Sequence, residues 1–409
     1  MPHSGQTYPM TPAASLALAA CALVFIGAVF LLHAETEPPI VLSVLPEFRK
    51  SPSGKFCLVP PSRYLQSNNT EIWASNANVT LLTHASVDLL DFVEKTAKAW
   101  NGPMIVAVFI PNPTDVPDAL TYIHQLSTCE VDASSKVRTI VFYPAVNGSC
   151  QPFSVSFSRS CNYESSHNWR KQRSRQPHYP INLARNIARL QLATKYHLMV
   201  DVELLPSPNL AAQFHRFIRK MDEEATGRDV FVLPVFELEK DQSAPLSKAD
   251  LAELLRRGKA VPFHKFRASQ CHRIPKLMQW IQLQDDEVDE NDEMEVFHNT
   301  KWLRPCWEPV FFAASDLPLF DERFFGYGKN KIQQAYELCR SGYNFNILSQ
   351  GFLTHPGISH MTGALWRRIA RDIRSNNIRF SNFLRELDQK YPDPKLRNYC
   401  DNQIVGEIS

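Results

Sequence analysis

Apolar and polar residues alternate along the first half of this chain in blocks typical of βαβ units. Residues 79–85 and 104–110 are nearly continuous apolar runs, as in parallel strands that are covered on both faces. Between them, residues 88–100 have apolar positions at helical spacing. Helix, strand, helix and strand are predicted in turn at 116–126, 137–143, 182–192 and 196–202. We therefore expect an α/β fold with a mixed, mostly parallel central sheet flanked by helices, which binds ligands at the carboxyl ends of its strands.

An apolar segment without charged side chains occupies residues 13–32. Its length is about the 20 residues that a helix needs to cross the hydrocarbon layer, which predicts an N-terminal transmembrane signal-anchor. The predicted divisions are a cytoplasmic tail at 1–12, the anchor at 13–32, a stem at 33–55, a lumenal domain at 56–400 and a C-terminal tail at 401–409. A cleaved signal peptide with its cleavage site at 32–34 is the alternative, and both place the remainder in the secretory pathway.

Composition agrees with a folded secretory protein. The formal net charge of the 409 residues is only +2, so no global field favours nucleic acid as a partner. Three glycosylation sequons begin at Asn68, Asn78 and Asn147. Of the nine cysteines only Cys21 lies in the apolar run, and the even number that remains indicates disulfides, with Cys150 and Cys161 closing the easiest local loop. The polar and basic segment 147–177 is interpreted as an exposed loop.

Two acidic residues end the strand predicted at 196–202. Because side chains alternate along a strand, the carboxylates of Asp201 and Glu203 are expected to project to the same side. Oxygen ligands on one side, with open positions left over, suit Mg²⁺ or Mn²⁺ holding a diphosphate. Two acids at an exposed strand end are the alternative interpretation of this D-x-E pattern.

Several long blocks resemble a known family. LLTHASVDLLDFVEKTAKAWNGPMIVAVFIP, YPINLARNIARLQLATKYHLMVDVELLPS, VFVLPVFEL and the stretch from WEPVFFAASDLPLF to GFLTHPG are similar, in order and spacing, to the β-1,4-glucuronyltransferase and LARGE-type glycosyltransferases (glycosyltransferase family 49). The chain resembles the single-domain glucuronyltransferases in particular, because it is too short for a second catalytic domain. The resemblance implies a GT-A fold, a UDP-sugar donor, Mn²⁺ or Mg²⁺, and inverting transfer of glucuronic acid to the glycan chain of a glycoprotein.

The resemblance also implies a set of metal ligands. The family's D-x-D motif falls on Asp201 and Glu203, and this chain departs from the motif because glutamate adds a methylene group and moves the carboxylate. The family's third ligand, a histidine, falls on His355 in GFLTHPG. By residue type alone, a lone histidine of this kind would be interpreted as structural.

The catalytic base is less clearly indicated. Residues 320–331 resemble the motif F-D-E-x-F-x-G-x-G-x-E-D, whose last acid is the base in several GT-A enzymes, but Asn330 and Lys331 occupy the two final positions. Asp321 or Glu322 is therefore the predicted base, with Glu308 as a further candidate. The alternative is that Asp321 and Glu322 cap the following turn and pair with Arg323.

Donor binding is predicted for Arg185 and Asn186, which precede the metal strand, because a guanidinium suits phosphate or a glucuronate carboxylate. Alternatively, Arg185 and Arg189 form the solvated side of an amphipathic helix. These expectations describe a single-pass type II enzyme of the Golgi membrane. There are two alternative hypotheses: a lumenal glycan-binding relative with weak or no turnover, and the same fold acting on another UDP-sugar such as UDP-GlcNAc.

Overall fold

Helices cover both faces of a ten-stranded central sheet, so the α/β class predicted from the sequence is confirmed. The computed structural model describes residues 54–59, 79–129, 136–150, 153, 155–157, 179–221, 227–283, 293–303 and 306–402, and the backbone of 40–42 and 49–50. None of the helices in these ranges is both long and apolar enough to cross a membrane. The anchor predicted at 13–32 lies outside the described residues.

The described strands are short to medium in length. They are β1 (Ile40–Leu42), β2 (Arg49–Lys50), β3 (Phe56–Val59), β4 (Val79–Ser86), β5 (Met104–Phe109), β6 (Val137–Pro144), β7 (Val155–Phe157), β8 (Tyr196–Met199), β9 (Leu205–Pro206), β10 (Asp229–Leu233), β11 (Val235–Leu238), β12 (Ala260–Pro262), β13 (Val296–Thr300), β14 (Val310–Ala314), β15 (Asn344–Leu348) and β16 (Leu353–Pro356).

The described α-helices are α1 (Leu90–Ala99), α2 (Val116–Cys129), α3 (Ile181–Arg189), α4 (Leu210–Met221), α5 (Lys248–Arg256), α6 (Leu277–Gln282), α7 (Ile332–Arg340), α8 (Gly363–Lys390) and α9 (Pro394–Asn402). Short 3₁₀ turns lie at Val87–Leu89, Pro113–Asp115 and Ser269–Cys271. The helices and strands predicted between residues 79 and 202 all form, with ends that differ by a few residues.

The large sheet has the strand order β13-β15-β10-β14-β8-β4-β5-β6-β3-β2. Its centre, β8-β4-β5-β6, is parallel, as the apolar runs predict. The expectation of a mostly parallel sheet is wrong, however, because five of the nine pairings between these described strands are antiparallel. The antiparallel pairings were not predicted, because β14 inserts between β8 and β10 and reverses the strand direction there.

Both faces of the parallel centre are apolar because alternate side chains of each strand point to opposite sides. On one face Leu82, Ile105 and Phe109 pack with the α3 residues Leu183 and Ile187. On the other face, the intervening residues of β4 and β5 pack against α1, α2 and α4. The buried strands therefore fix α3 against β4 and β5, beside the candidate site.

Two segments differ from their sequence interpretation. β1 and β2 fall within the predicted stem at 33–55, and they pair with β7 and β3. β7 belongs to the predicted polar loop at 147–177, yet its Val155 and Phe157 are buried. That part of the loop is therefore a strand of the domain, because its alternate apolar residues find a covered surface.

Disulfides are present, as the cysteine count predicts. They join Cys57 to Cys150, Cys271 to Cys306 and Cys339 to Cys400. Cys150 does not close the easy local loop with Cys161, because Cys57 on β3 reaches it across 93 residues. The antiparallel pairing of β3 with β6 brings these two cysteines together.

A four-stranded second sheet, of order β12-β11-β16-β9, lies beside the large one. β9 comes directly after the predicted D-x-E motif, and it pairs antiparallel with β16, which carries His355. The second sheet therefore forms one side of the region around Asp201.

Candidate active site

Helix α3 carries two buried faces of opposite character. Its apolar residues pack on the sheet, while Asn182, Arg185, Asn186 and Arg189 recur at spacings of three and four residues along another stripe. All four polar residues are at most 6% exposed. The interpretation of Arg185 and Arg189 as a solvated helix side is therefore wrong, because the chain between residues 315 and 330 covers this stripe.

The polar stripe binds the covering segment mainly through its backbone. Arg189 donates to the carbonyls of Pro318 and Leu317, each at 2.7 Å. Asn186 accepts from the Phe320 N–H and donates to the Phe320 carbonyl. Asn182 donates to the carbonyls of Asp321 and Asn330. These contacts supply the partners that buried polar groups require and fix the segment over α3.

Asp201 lies at the centre of the site. β8 ends at Met199, and residues 201–204 form a turn in which the Leu204 N–H donates to the Asp201 carbonyl. Asp201 and Glu203 therefore lie beyond the strand. The alternation of side chains along a strand, on which their prediction was based, does not set the directions of their carboxylates. The Asp201 carboxylate accepts from Arg185 at 3.2 Å and from Lys331 at 2.8 Å, and His84 Nε2 lies 3.3 Å away.

Two of these partners come from distant parts of the chain. His84 is on β4, and its Nδ1 lies 2.9 Å from the hydroxyl of Tyr179. Lys331 precedes α7, beside Asn330, whose side chain accepts a hydrogen bond from Arg185. From the sequence, Lys331 was identified only as the residue that replaces an expected acid, and His84 was not identified as a candidate. The one available signal for His84 was a titratable side chain within a predicted buried strand.

The cationic surroundings decide the charge of Asp201. Burial favours the protonated carboxyl, but Lys331, the contact with His84 and Arg185 outweigh it and hold the pKa of Asp201 well below its usual range. Burial also lowers the pKa of His84, and the neighbouring Asp201 only partly offsets this. Asp201 is therefore ionised and His84 uncharged at neutral pH.

The predicted metal ligands are close in the fold but do not form a ligand set. The Glu203 side chain is partly exposed. His355 lies on β16, where Thr354 pairs with Leu205, and its Nδ1 is 3.2 Å from the Gly357 carbonyl oxygen. Among the described residues, no group of three or more His, Cys, Asp or Glu side chains has the arrangement of a metal site.

The contacts of Asp201 also disfavour a divalent ion at this place. Oδ1 faces Arg185 and His84, and Oδ2 faces Lys331, so an ion held by either oxygen would lie next to a cationic or N–H donor group. These residues, as arranged, do not fit Mn²⁺ or Mg²⁺. The metal assignment of Asp201, Glu203 and His355 stays a prediction without support from this geometry.

Two histidines lie between the second sheet and the Asp201 region. His264 Nδ1 is 3.1 Å from His272 Nε2, and His264 Nε2 is 3.8 Å from the buried Glu237 carboxylate. Burial, followed by the neighbouring His272, lowers the pKa of His264 to about 2. Burial, followed by Lys331, lowers that of His272 to about 3. Both rings are therefore neutral at physiological pH and add no positive charge.

The predicted bases Asp321 and Glu322 have other partners. Both Asp321 oxygens accept from the Arg323 guanidinium, which is the alternative interpretation that the sequence allowed. Glu322 accepts from the Asn186 amide at 3.0 Å. Glu308 differs from both, because its charge interacts with Lys331, Arg185 and Asp201, and burial raises its pKa. Glu308 is thus an acid whose charge is coupled to the Asp201 cluster.

A tight turn at residues 325–328 leads into Asn330 and Lys331. The Asn376 amide on α8 donates to the carbonyls of Phe325, Tyr327 and Gly328. Gly326 has φ +58°, and a Cβ there would lie 2.1 Å from Asp372 Oδ2. Glycine is therefore required at this position by both conformation and space.

The chain is similar in sequence to known proteins of one family. Residues 78–392 match the model of a family described as "Glycosyl-transferase for dystroglycan". The chain is 30% identical over 337 residues to mouse beta-1,4-glucuronyltransferase 1, which covers 78% of this chain and 77% of the relative. It is 31% identical over 344 residues to the Danio rerio protein of the same name, covering 78% and 75%. Mouse xylosyl- and glucuronyltransferase LARGE2 is 26% identical over 279 residues, covering 68% of this chain and 34% of that protein.

Proposed function

Because the chain belongs to the family of glycosyl-transferases for dystroglycan, we propose that it transfers glucuronic acid from UDP-glucuronic acid to the glycan chain of a glycoprotein. The observation that carries the proposal is the partly exposed cluster around Asp201, which follows the carboxyl end of β8, a strand that pairs parallel with β4. Arg185 and Lys331 give this cluster two cations within hydrogen-bonding distance of one carboxylate. Clustered cations at a strand end suit the phosphates of a nucleotide-sugar donor.

The proposed reaction is an inverting displacement within a fold of the GT-A type. An acceptor hydroxyl oxygen forms the new bond to the anomeric carbon, while the bond from that carbon to the donor phosphate oxygen breaks. The bonding electron pair leaves with UDP, and the hydroxyl proton passes to a carboxylate. Glu308 is the best-supported base, because it lies within electrostatic reach of the Asp201 cluster and its raised pKa increases its affinity for a proton.

The proposed setting of the reaction rests on the sequence. We place the enzyme in the Golgi membrane as a single-pass type II protein, with residues 13–32 as the anchor and the domain in the lumen. The three disulfides between described cysteines support an oxidising compartment.

A donor panel tests the proposal. The purified protein is incubated with UDP-glucuronic acid, UDP-xylose, UDP-GlcNAc and UDP-galactose, with and without a xylose-ended acceptor, and released UDP and product are measured. We expect acceptor-dependent turnover with UDP-glucuronic acid above all others. Turnover with another donor would change the sugar and keep the reaction class. The absence of turnover with every donor would indicate a glycan-binding relative instead.

A further inference from the structure

We infer that the Lys331 ammonium group replaces a divalent cation in this site. It binds the donor diphosphate directly, so that transfer proceeds without a metal ion. The inference deepens the proposed function and rests on it, since it presupposes a nucleotide-sugar donor. It concerns Lys331 itself, a residue of this chain that lies where an acid was expected.

The position of the ammonium group is the first argument. Lys331 Nζ lies 2.8 Å from Asp201 Oδ2, on the carboxylate that the sequence selects as the first metal ligand. A cation that bridges this carboxylate and a diphosphate would have to lie against one of its oxygens. Lys331 already holds that position at Oδ2, and Arg185 lies against Oδ1. A divalent ion would have to displace one of these side chains and would remain close to the other.

The sum of the charges is the second argument. Arg185, Lys331 and Lys329 contribute three positive charges, and Asp201 and Glu308, whose charge interacts with all of these groups, contribute two negative charges. These five groups together keep a charge of about +1 for an anion. The net positive charge needed to hold a diphosphate is therefore present in side chains alone.

Accessibility distinguishes the two cations. Only 1% of the Arg185 side-chain surface is exposed, whereas 15% of Lys331 and 35% of Asp201 are exposed. Within the described part of the chain, Lys331 Nζ makes one hydrogen bond, to Asp201. An ammonium group has three N–H donors, so two remain for phosphate oxygens. Lys331 is thus suited to contact the ligand, and Arg185 to hold Asp201 from beneath.

The backbone at Lys331 is fixed before any ligand binds. Asn330, the preceding residue, accepts from Arg185 and donates to the Gly326 carbonyl at 2.8 Å. Its own carbonyl accepts from Asn182 on α3. A preorganised cation stabilises developing charge without the cost of rearrangement. When the bond to the anomeric carbon breaks, the electron pair stays on the departing phosphate oxygen, and the Lys331 N–H groups stabilise that charge.

The test is a binding titration of the purified full-length protein by calorimetry. UDP and uridine are the two probes, each in EDTA and each with added Mn²⁺, so that the diphosphate contribution is separated from that of the nucleoside. We expect wild type to bind UDP in EDTA, with its affinity changed by less than about twofold by Mn²⁺. Lys331→Gln should weaken UDP binding by about tenfold or more, since a hydrogen bond to a charged group is lost, and leave uridine binding unchanged.

Two further variants separate contact from folding. Lys331→Arg keeps the positive charge and is expected to retain part of the UDP affinity. If Lys331→Gln does not fold, the UDP affinity of Lys331→Arg provides the test instead. Lys259→Gln removes a lysine from an exposed pair with Glu239 and is expected to bind UDP as wild type does. Transfer from UDP-glucuronic acid in EDTA is measured beside binding for each variant.

The possible results distinguish failure of this inference from failure of the proposed function. UDP binding that requires Mn²⁺, or that is the same in Lys331→Gln as in wild type, overturns this inference and leaves the proposed function standing. UDP binding in EDTA that depends on Lys331, without transfer from any donor, supports the inference and overturns the proposed function. No UDP binding under any condition overturns both.

Discussion

The Asn186 side chain on α3 pairs with the backbone of Phe320, accepting its N–H at 2.9 Å and donating to its carbonyl at 2.8 Å. Through these bonds, a buried helix holds the segment that ends at Lys331. The same helix contributes Arg185 to Asp201. The geometry of the candidate site therefore depends on polar contacts inside the protein as much as on the residues that face the cleft.

Asn186→Ala should destabilise the fold by about 2 to 4 kcal/mol, because it leaves two buried backbone groups of Phe320 without partners. Urea unfolding at neutral pH measures the change. Asn377→Ala, at an exposed position of α8, is the control and should change stability little. Equal unfolding midpoints for the two variants would show that the segment is held by other contacts.

Gly326→Ala should destabilise the protein by more than the cost of a left-handed alanine alone, which is about 1 kcal/mol. The added Cβ would meet Asp372 Oδ2, so either the Asp372 side chain or the turn before Lys331 would have to move. Gly258→Ala is the matched control, because Gly258 also has a positive φ of +71° but no atom within 4 Å of the added Cβ. Thermal unfolding compares the two, and similar losses would contradict the steric explanation.

Asp201→Asn should abolish transfer and also lower stability at neutral pH, because Arg185 and Lys331 lose their shared counter-charge. The pKa of Asp201 is lowered on folding, so its contribution is fully present above the ordinary value of 3.8. It is lost as the pH falls below 3.8 toward the lower value of the folded state. The stability difference between wild type and variant should therefore shrink in this acidic range.

Urea unfolding from pH 7 down to pH 3 measures that difference. Glu239→Gln, which removes an exposed carboxylate paired with Lys259, should show little difference at any of these pH values. A wild-type advantage over Asp201→Asn that stays constant, or grows, on acidification would contradict the lowered pKa.

Glu308→Gln should reduce kcat by about 10² to 10⁴-fold if Glu308 takes the acceptor proton. It should not weaken UDP binding, because it removes a negative charge that interacts with Lys331 and Arg185. Burial raises the pKa of Glu308 above the ordinary 4.5, although Lys331 and Arg185 partly offset the rise. A base must be ionised to act, so the wild-type rate should fall as the pH drops through a midpoint above 4.5. The pH dependence of kcat measures this, and the variant should lack that midpoint.

Asp321→Asn and Glu322→Gln are the matched controls for the base. Asp321 is paired with Arg323, and Glu322 accepts from Asn186, so each substitution should cost less activity than Glu308→Gln. A greater loss in Asp321→Asn, together with a wild-type pH midpoint in Glu308→Gln, would return the role of base to Asp321.

The sequence by itself determined the centre of the fold. Continuous apolar runs predicted β4, β5 and β6, and helical spacing predicted α1, α2 and α3, because burial of a strand or helix face leaves a local periodic pattern. It also located Asp201 at the end of β8 and indicated the glycosyltransferase family. These features depend on residues that are neighbours in the chain.

Only the tertiary structure decided what surrounds Asp201. Lys331 is 130 residues away, and no local pattern shows which charges the fold brings together. Arg185 and Arg189 resemble a solvated helix side in the sequence, because a polar stripe looks the same whether water or a backbone segment satisfies it. The insertion of β14 and the Cys57–Cys150 disulfide are likewise long-range pairings. Local periodicity thus specified the elements, whereas the charge of the site was set by contacts that exist only after those elements pack.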